Sequence, residues 1–148
     1  MIKWLIDKIT KALLTILLKT HVSFFMKIRS HKELDVYKLA FSSASLIFEV
    51  SQKFPVEEKY SLTDQIRRSS RSVCANLAEA FSKRRYPKSF VYKLSDSEAE
   101  AAETQTWLDF ALHHKYILQS DYDLLYTKYK YVIGKLVKMS LQAEKWCY

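Results

Sequence analysis

DQIRRSSRSVCANLAEAFSKRR, residues 64–85, carries two patterns at once. Counting from Leu62, the side chains of Ile66, Ser70, Val73, Leu77, Ala80 and Phe81 fall within one arc of a helix, while Arg67, Arg68, Arg71 and Arg85 fall on an adjoining arc. An apolar stripe with arginines sorted beside it describes an amphipathic helix, packed on one side and charged on the other. Ser61-Leu62-Thr63-Asp64 resembles a capping box: the Ser61 hydroxyl accepts from a first-turn amide and Asp64 meets the positive helix end. The helix is therefore expected from Ser61 to about Arg85, and Pro87 breaks it.

The segments on either side read the same way. One glycine and two prolines in 148 residues that are 49% hydrophobic leave nothing to punctuate strands, and Asn-Gly and Gly-Gly turns are absent, so the chain is expected to be all-α. A first helix over 32–53 places Leu34, Tyr37, Phe41, Ala44, Ile47, Phe48 and Ser51 on one side; Val36, Leu39, Leu46 and Val50 form a second apolar strip that calls for another packing partner. A third runs from Lys88 to His113 on Phe90, Val91, Leu94, Ala101, Ala102, Leu108 and Leu112. Glu98 and Gln105 project from that stripe, with Asp96, Glu100 and Glu103 on the opposite, solvated side. A fourth opens at Ser120–Asp123 and carries Tyr122, Leu125, Tyr126, Tyr129, Val132, Ile133, Leu136 and Val137, with Gly134 marking either a close helix approach or a tolerated cost. Residues 1–25 form a separate amphipathic helix, with Ile2, Leu5, Ile6, Ile9, Leu13 and Ile16 opposite Lys3, Lys8, Lys11 and Lys19; residues 26–148 are the bundle domain. This helix is too broken by charge to span a bilayer. Contact with a membrane surface, packing on the bundle, or an upstream extension before a start at Met26 all remain open.

Charge narrows the function. Of the net +8, residues 63–93 hold +6 and residues 94–125 hold −6, so the basic block is either paired internally or between subunits, or exposed to polyanions. Arg67, Arg68 and Arg71 fit either use. Lys83, Arg84, Arg85 and Lys88 cluster at a helix end with few local acids, and suit phosphate contact that is largely independent of sequence. Tyr86 can stack on a base or anchor the turn, and Tyr122, Tyr126 and Tyr129 can form a stacking ladder or fill the core. Asn76, Glu98 and Gln105 read as a polar layer fixing helix register or an oligomer interface: one carboxylate without a second, a metal set or a nucleophile–base pair defines no reaction, so no catalytic residue is assigned. Cys74 and Cys147 lack metal-ligand spacing, and His113-His114 diverge on a helix, so no metal or cofactor is expected. Cys74 beside the arginines is either a low-pKa thiol or a small buried residue. Two isolated thiols fit a reducing, cytoplasmic setting.

Taken together, ELDVYKLA (33–40), FPVEEKYSLTDQIRRSSRSVCANLAEAF (54–81), the Lys/Arg-rich turn and ETQ (103–105) resemble the family of the intervening-sequence protein of large-subunit ribosomal RNA genes, to which the accessory variability protein of diversity-generating retroelements also belongs. The likeness covers about residues 31–140. It implies an antiparallel up-down four-helix bundle, assembly as a homopentamer, basic surfaces that meet RNA or DNA, a possible reverse transcriptase partner and no catalysis. Gln65, Arg67 and Arg68 match a QxRR element, Asn76, Ala78 and Glu79 match NxAE, and Glu103 with Gln105 match ETQ; Ala80 stands where the family has glycine.

Overall fold

The structure is a computed structural model that describes residues 6–13 and 28–148. Residues 6–13 are helical, with Ile6, Ile9 and Leu13 exposed; the remainder of the expected helix over 1–25, and the Met26 start, lie outside the described residues. Four long helices follow: α1 Asp35–Ser51, α2 Leu62–Ser82, α3 Pro87–His113 and α4 Gln119–Leu141, with single 3-10 turns at His31–Glu33, Val56–Glu58 and Ala143–Lys145. No strand occurs among the described residues. Each helix packs on its chain neighbour, α1 also packs on α4, and α2 against α3 is the most extensive pairing, so the four close into an antiparallel up-down bundle.

Spacing explains the closure. The buried positions of α3 are Phe90, Leu94, Ser97, Ala101, Thr104, Leu108 and Ala111, and those of α4 are Leu125, Tyr129, Val132, Leu136 and Met139, with steps alternating between three and four. That period keeps one seam facing a nearly parallel neighbour along its whole length. It also corrects the α3 stripe expected at 100° per residue. Val91, Ala102 and Leu112 sit off the seam, whereas the small polar Ser97 and Thr104 lie at its centre, where Ser97 Oγ donates to the Val73 carbonyl (2.8 Å) and Thr104 Oγ1 donates to Ser69 Oγ (2.9 Å). Short hydroxyls satisfied in this way let α2 and α3 approach closely without orphaned polar atoms.

On α1 the core face takes residues from both expected strips: Leu34, Ile47 and Ser51 from the first and Val36 from the second. Leu34, Val36, Ala40, Ser43, Ile47 and Ser51 are buried, while Phe41 (58% exposed) and Phe48 (41%) of the expected core face point outward. The small faces of Ala40 and Ser43 permit close contact with α2 and α4 that the wide aromatic rings would block. The outer strip of Tyr37, Phe41, Ala44 and Phe48 forms a shallow groove with Arg71 and Cys74 of α2.

The helix ends differ from expectation for local reasons. Ser61 is not the capping acceptor: its hydroxyl donates to Glu58, whose Oε2 also accepts from the Leu62 amide (3.2 Å) while Oε1 accepts from Tyr116 Oη (3.2 Å). Those bonds, led by that from Ser61, hold the Glu58 carboxyl below its usual range. A longer carboxylate thus reaches back over the α2 start and ties it to the α3–α4 turn. α3 starts at Pro87, whose fixed φ and missing N–H suit a first helical turn. It ends in a Schellman pattern, with Lys115 at φ 61° and its amide on the Leu112 carbonyl (2.9 Å), and the Tyr116 amide on the Ala111 carbonyl (2.8 Å). α4 opens at Gln119, one residue before the expected cap, with Gln119 Nε2 donating to Asp123 Oδ1 (2.8 Å). α2 stops at Ser82, where the Lys83 amide meets the Ala80 (2.9 Å) and Glu79 (3.1 Å) carbonyls, so Arg84 and Arg85 stand on a turn.

Candidate nucleic-acid interface

That turn gathers charge from three parts of the chain. His31 of the first 3-10 turn lies edge-on to Phe81 at 6.4 Å, and the Tyr148 amide donates to the Arg84 carbonyl (3.3 Å), so both chain ends of the bundle domain meet the α2–α3 bend. Arg29, Lys32, Lys83, Arg84, Arg85, Lys88 and Lys145 therefore collect at one end against Glu33, Asp35 and Glu144. Lys83, Arg85 and Lys88 are exposed and make no ion pair among the described residues. Arg84 is half-buried: Nε donates to the Phe81 carbonyl (3.0 Å), and the guanidinium lies 3.6 Å from the Phe81 ring centre and 5.4 Å from that of Tyr148. Such contacts orient a guanidinium and leave its charge uncancelled. Arg29 and Lys32 stand in a segment of nearly balanced charge and Lys145 near the far end of the sequence, so only the fold brings them to the cluster. At the other end of the bundle Glu57, Glu58, Asp64, Asp109, Asp121 and Asp123 outnumber Lys53, Lys59 and Lys115, so charge is polarised along the bundle axis.

The arginines on α2 itself have local uses. Arg68 Nη2 donates to Gln65 Oε1 (2.8 Å) and pairs with Glu103 of α3 (3.2 Å), whose Oε1 also accepts from Trp107 Nε1 (3.0 Å). Arg67 Nε donates to Ser51 Oγ (2.7 Å) and lies 4.8 Å from the Phe48 ring centre; Arg71 lies 5.8 Å from the same ring. The acids expected on a solvated side of α3 in fact border α2. Asp96 and Glu79 clamp Lys93 (3.1 and 2.9 Å), whose pKa rises through those hydrogen bonds. Burial, with Glu103 nearby, pushes the Glu100 carboxyl up against the opposing pull of Arg68, and Glu100 Oε2 is buried with no hydrogen-bond partner among the described residues. Asn76, Glu98 and Gln105 do not meet in one layer. Asn76 Oδ1 accepts from Lys93 Nζ (3.2 Å), Gln105 Nε2 donates to the Tyr126 carbonyl (3.3 Å), and Glu98 is half-buried on α3, two helical turns from Gln105. The buried hydroxyls of Ser69, Ser97 and Thr104 supply the polar layer instead. Cys74 is buried, and desolvation pushes its thiol up to about 11, opposite to the activated reading. Tyr129 is core, while Tyr122 stacks on Tyr126 at 5.2 Å and donates to Asp109 (2.7 Å). Among the described residues no three His, Cys, Asp or Glu side chains form a metal set, and no helix is long and apolar enough to cross a membrane.

The family model of the 23S rRNA-intervening sequence protein matches residues 32–138. The chain belongs to that family. A crystal structure of a protein with unknown function from the S23 ribosomal protein family of Bacteroides thetaiotaomicron VPI-5482 is similar, with TM-score 0.66 and 25% identity over 72% of this chain and 96% of that one. No curated protein matches. Within the family's bundle the resemblance motifs acquire geometry: Gln65 and Arg68 of QxRR grip Glu103 of ETQ, and Asn76 and Glu79 of NxAE grip Lys93, so these motifs bolt α2 to α3. The basic turn lies outside those bolts.

Proposed function

We propose that this family member is a non-enzymatic, cytoplasmic nucleic-acid-binding protein that holds phosphodiester backbones on the basic end of its bundle. Ribosomal RNA is the first candidate given the family's name, and a reverse transcriptase working on the same strand is the partner protein this reading admits. The observation that carries it is the exposure of Lys83, Arg85 and Lys88 without carboxylate partners, with Arg84 held between them by Phe81. Arg67, Arg68 and Arg71 lie further down α2, toward the opposite end of the bundle, and their guanidiniums are already engaged within it, so they stand outside this surface. Binding by counterion release makes affinity fall steeply with salt, and several subunits in a homo-oligomer, a pentamer in this reading, add avidity. Fluorescence anisotropy of labelled RNA and duplex DNA across a salt series tests this. The native chain is expected to bind at low salt, and Lys83→Glu/Arg85→Glu/Lys88→Glu to lose binding with its oligomer intact. Absence of binding at low salt overturns the reading.

A second reading, a scaffold whose surfaces serve its own assembly, is favoured by one observation: the outer strip of α1 leaves Phe41 and Phe48 exposed with Arg67 and Arg71 over the Phe48 ring. Loss of the oligomer in the Lys83/Arg85/Lys88 variant would decide for it.

A further inference from the structure

Phosphate contact alone does not account for the aromatic surface at the basic end. Tyr86 sits between Arg85 and Lys88 with 62% of its surface exposed and no ring neighbour among the described residues, and Tyr148 is 78% exposed against the Arg84 guanidinium. Tyr92, one helical turn beyond Lys88 on α3, is 67% exposed. Elsewhere in the bundle the rings of Tyr116, Tyr122 and Tyr126 are paired with other rings and Tyr129 is fully buried; Tyr60 (84%) and Tyr131 (63%) are also exposed, but each stands singly, away from the basic cluster. Large rings left open to water forgo burial, and Tyr86 and Tyr148 are interleaved with cations that lack carboxylate partners, whereas Tyr92 adjoins the paired Lys93. The Tyr148 ring carries a layered support, since Arg84 lies over both it and Phe81, and its backbone is tied to the Arg84 carbonyl. A preset flat surface of this kind has little rotamer freedom to lose when a third planar group is added.

Duplexes bury their base faces within the stack and offer a protein mainly phosphates and groove edges; single strands expose bases that stack on aromatic rings while cations track the backbone. We infer that the ligand of the basic end is single-stranded nucleic acid, with Tyr86 and Tyr148 as base-stacking platforms and Lys83, Arg85 and Lys88 as its phosphate contacts. This rests on the nucleic-acid reading above and adds the strandedness of the ligand.

The experiment titrates the full chain with fluorescein-labelled oligo(U), with oligo(dT), and with a duplex of the same number of phosphates, at one salt concentration. Oligo(U) and oligo(dT) are both expected to bind more tightly than the duplex. Tyr86→Leu/Tyr148→Leu is expected to weaken single-strand binding by about tenfold per ring while leaving duplex binding unchanged. Tyr86→Phe/Tyr148→Phe keeps the rings and is expected to bind as the native chain does. Equal binding of single strand and duplex, or a Phe variant that loses as much as the Leu variant, overturns the stacking role while leaving phosphate binding standing. No binding of any of the three probes overturns the nucleic-acid reading itself.

Discussion

Tyr129 shows how one residue can be read correctly for size and not for polarity. Its ring is wholly buried among the bundle helices, and burial raises the phenol pKa. Ser70 is its polar neighbour: that hydroxyl donates to the Arg67 carbonyl (3.0 Å) and keeps its oxygen as an acceptor, yet Tyr129 Oη makes no hydrogen bond among the described residues. Removing an unsatisfied buried hydroxyl relieves a desolvation cost rather than breaking a bond. Tyr129→Phe is therefore expected to leave stability in urea unchanged or to raise it by up to about 1 kcal/mol. A loss larger than that would show that the hydroxyl has a partner in solution. Cys74 carries the complementary lesson: of its two readings, low-pKa thiol and small buried residue, the structure supports the second, since the guanidiniums of Arg67 and Arg71 turn toward Phe48 while the cysteine is buried. Which neighbour in sequence is a neighbour in space is decided by the packing.

Among the helices, α4 holds a glycine that gives up stability without structural return. Gly134 is exposed, and a Cβ added there would meet nothing within 4 Å, which settles the choice between a close helix approach and a tolerated cost. Gly134→Ala is expected to stabilise the bundle by about 1 kcal/mol, because alanine loses less backbone entropy in a helix. For a domain of this size that corresponds to a rise of about 2–4 °C in Tm, read by calorimetry. An unchanged or lowered Tm would show that the site is covered in the assembled protein. The order and approximate bounds of all four helices were legible in the chain, since prolines, hydrophobic period and the near absence of glycine are local signals. Two of the caps were not: Glu58 takes the place of Ser61, and Gln119 opens α4 before Ser120. Side chains of different length compete for the same first-turn amide, and only their geometry ranks them.

For the whole molecule, two surfaces stand apart: the basic end and the outer strip of α1. If the strip is where subunits meet, Phe41→Glu/Phe48→Glu is expected to yield monomers by sedimentation velocity while retaining helical content by circular dichroism, because both rings lie outside the core. An oligomer that survives both substitutions would place assembly elsewhere. Sequence alone determined the helical class, the four rods, the clustering of Lys83, Arg85 and Lys88, and the family, because each is written in short local patterns. Tertiary structure decided which residues of α1 face inward, how Arg68 is neutralised by Glu103, and how Arg29, Lys32, Lys145 and Tyr148 join the α2–α3 bend. The physical reason is that helical period fixes angles about an axis, whereas charge cancellation and close packing depend on which other axis lies alongside, and the chain reveals that only once closed.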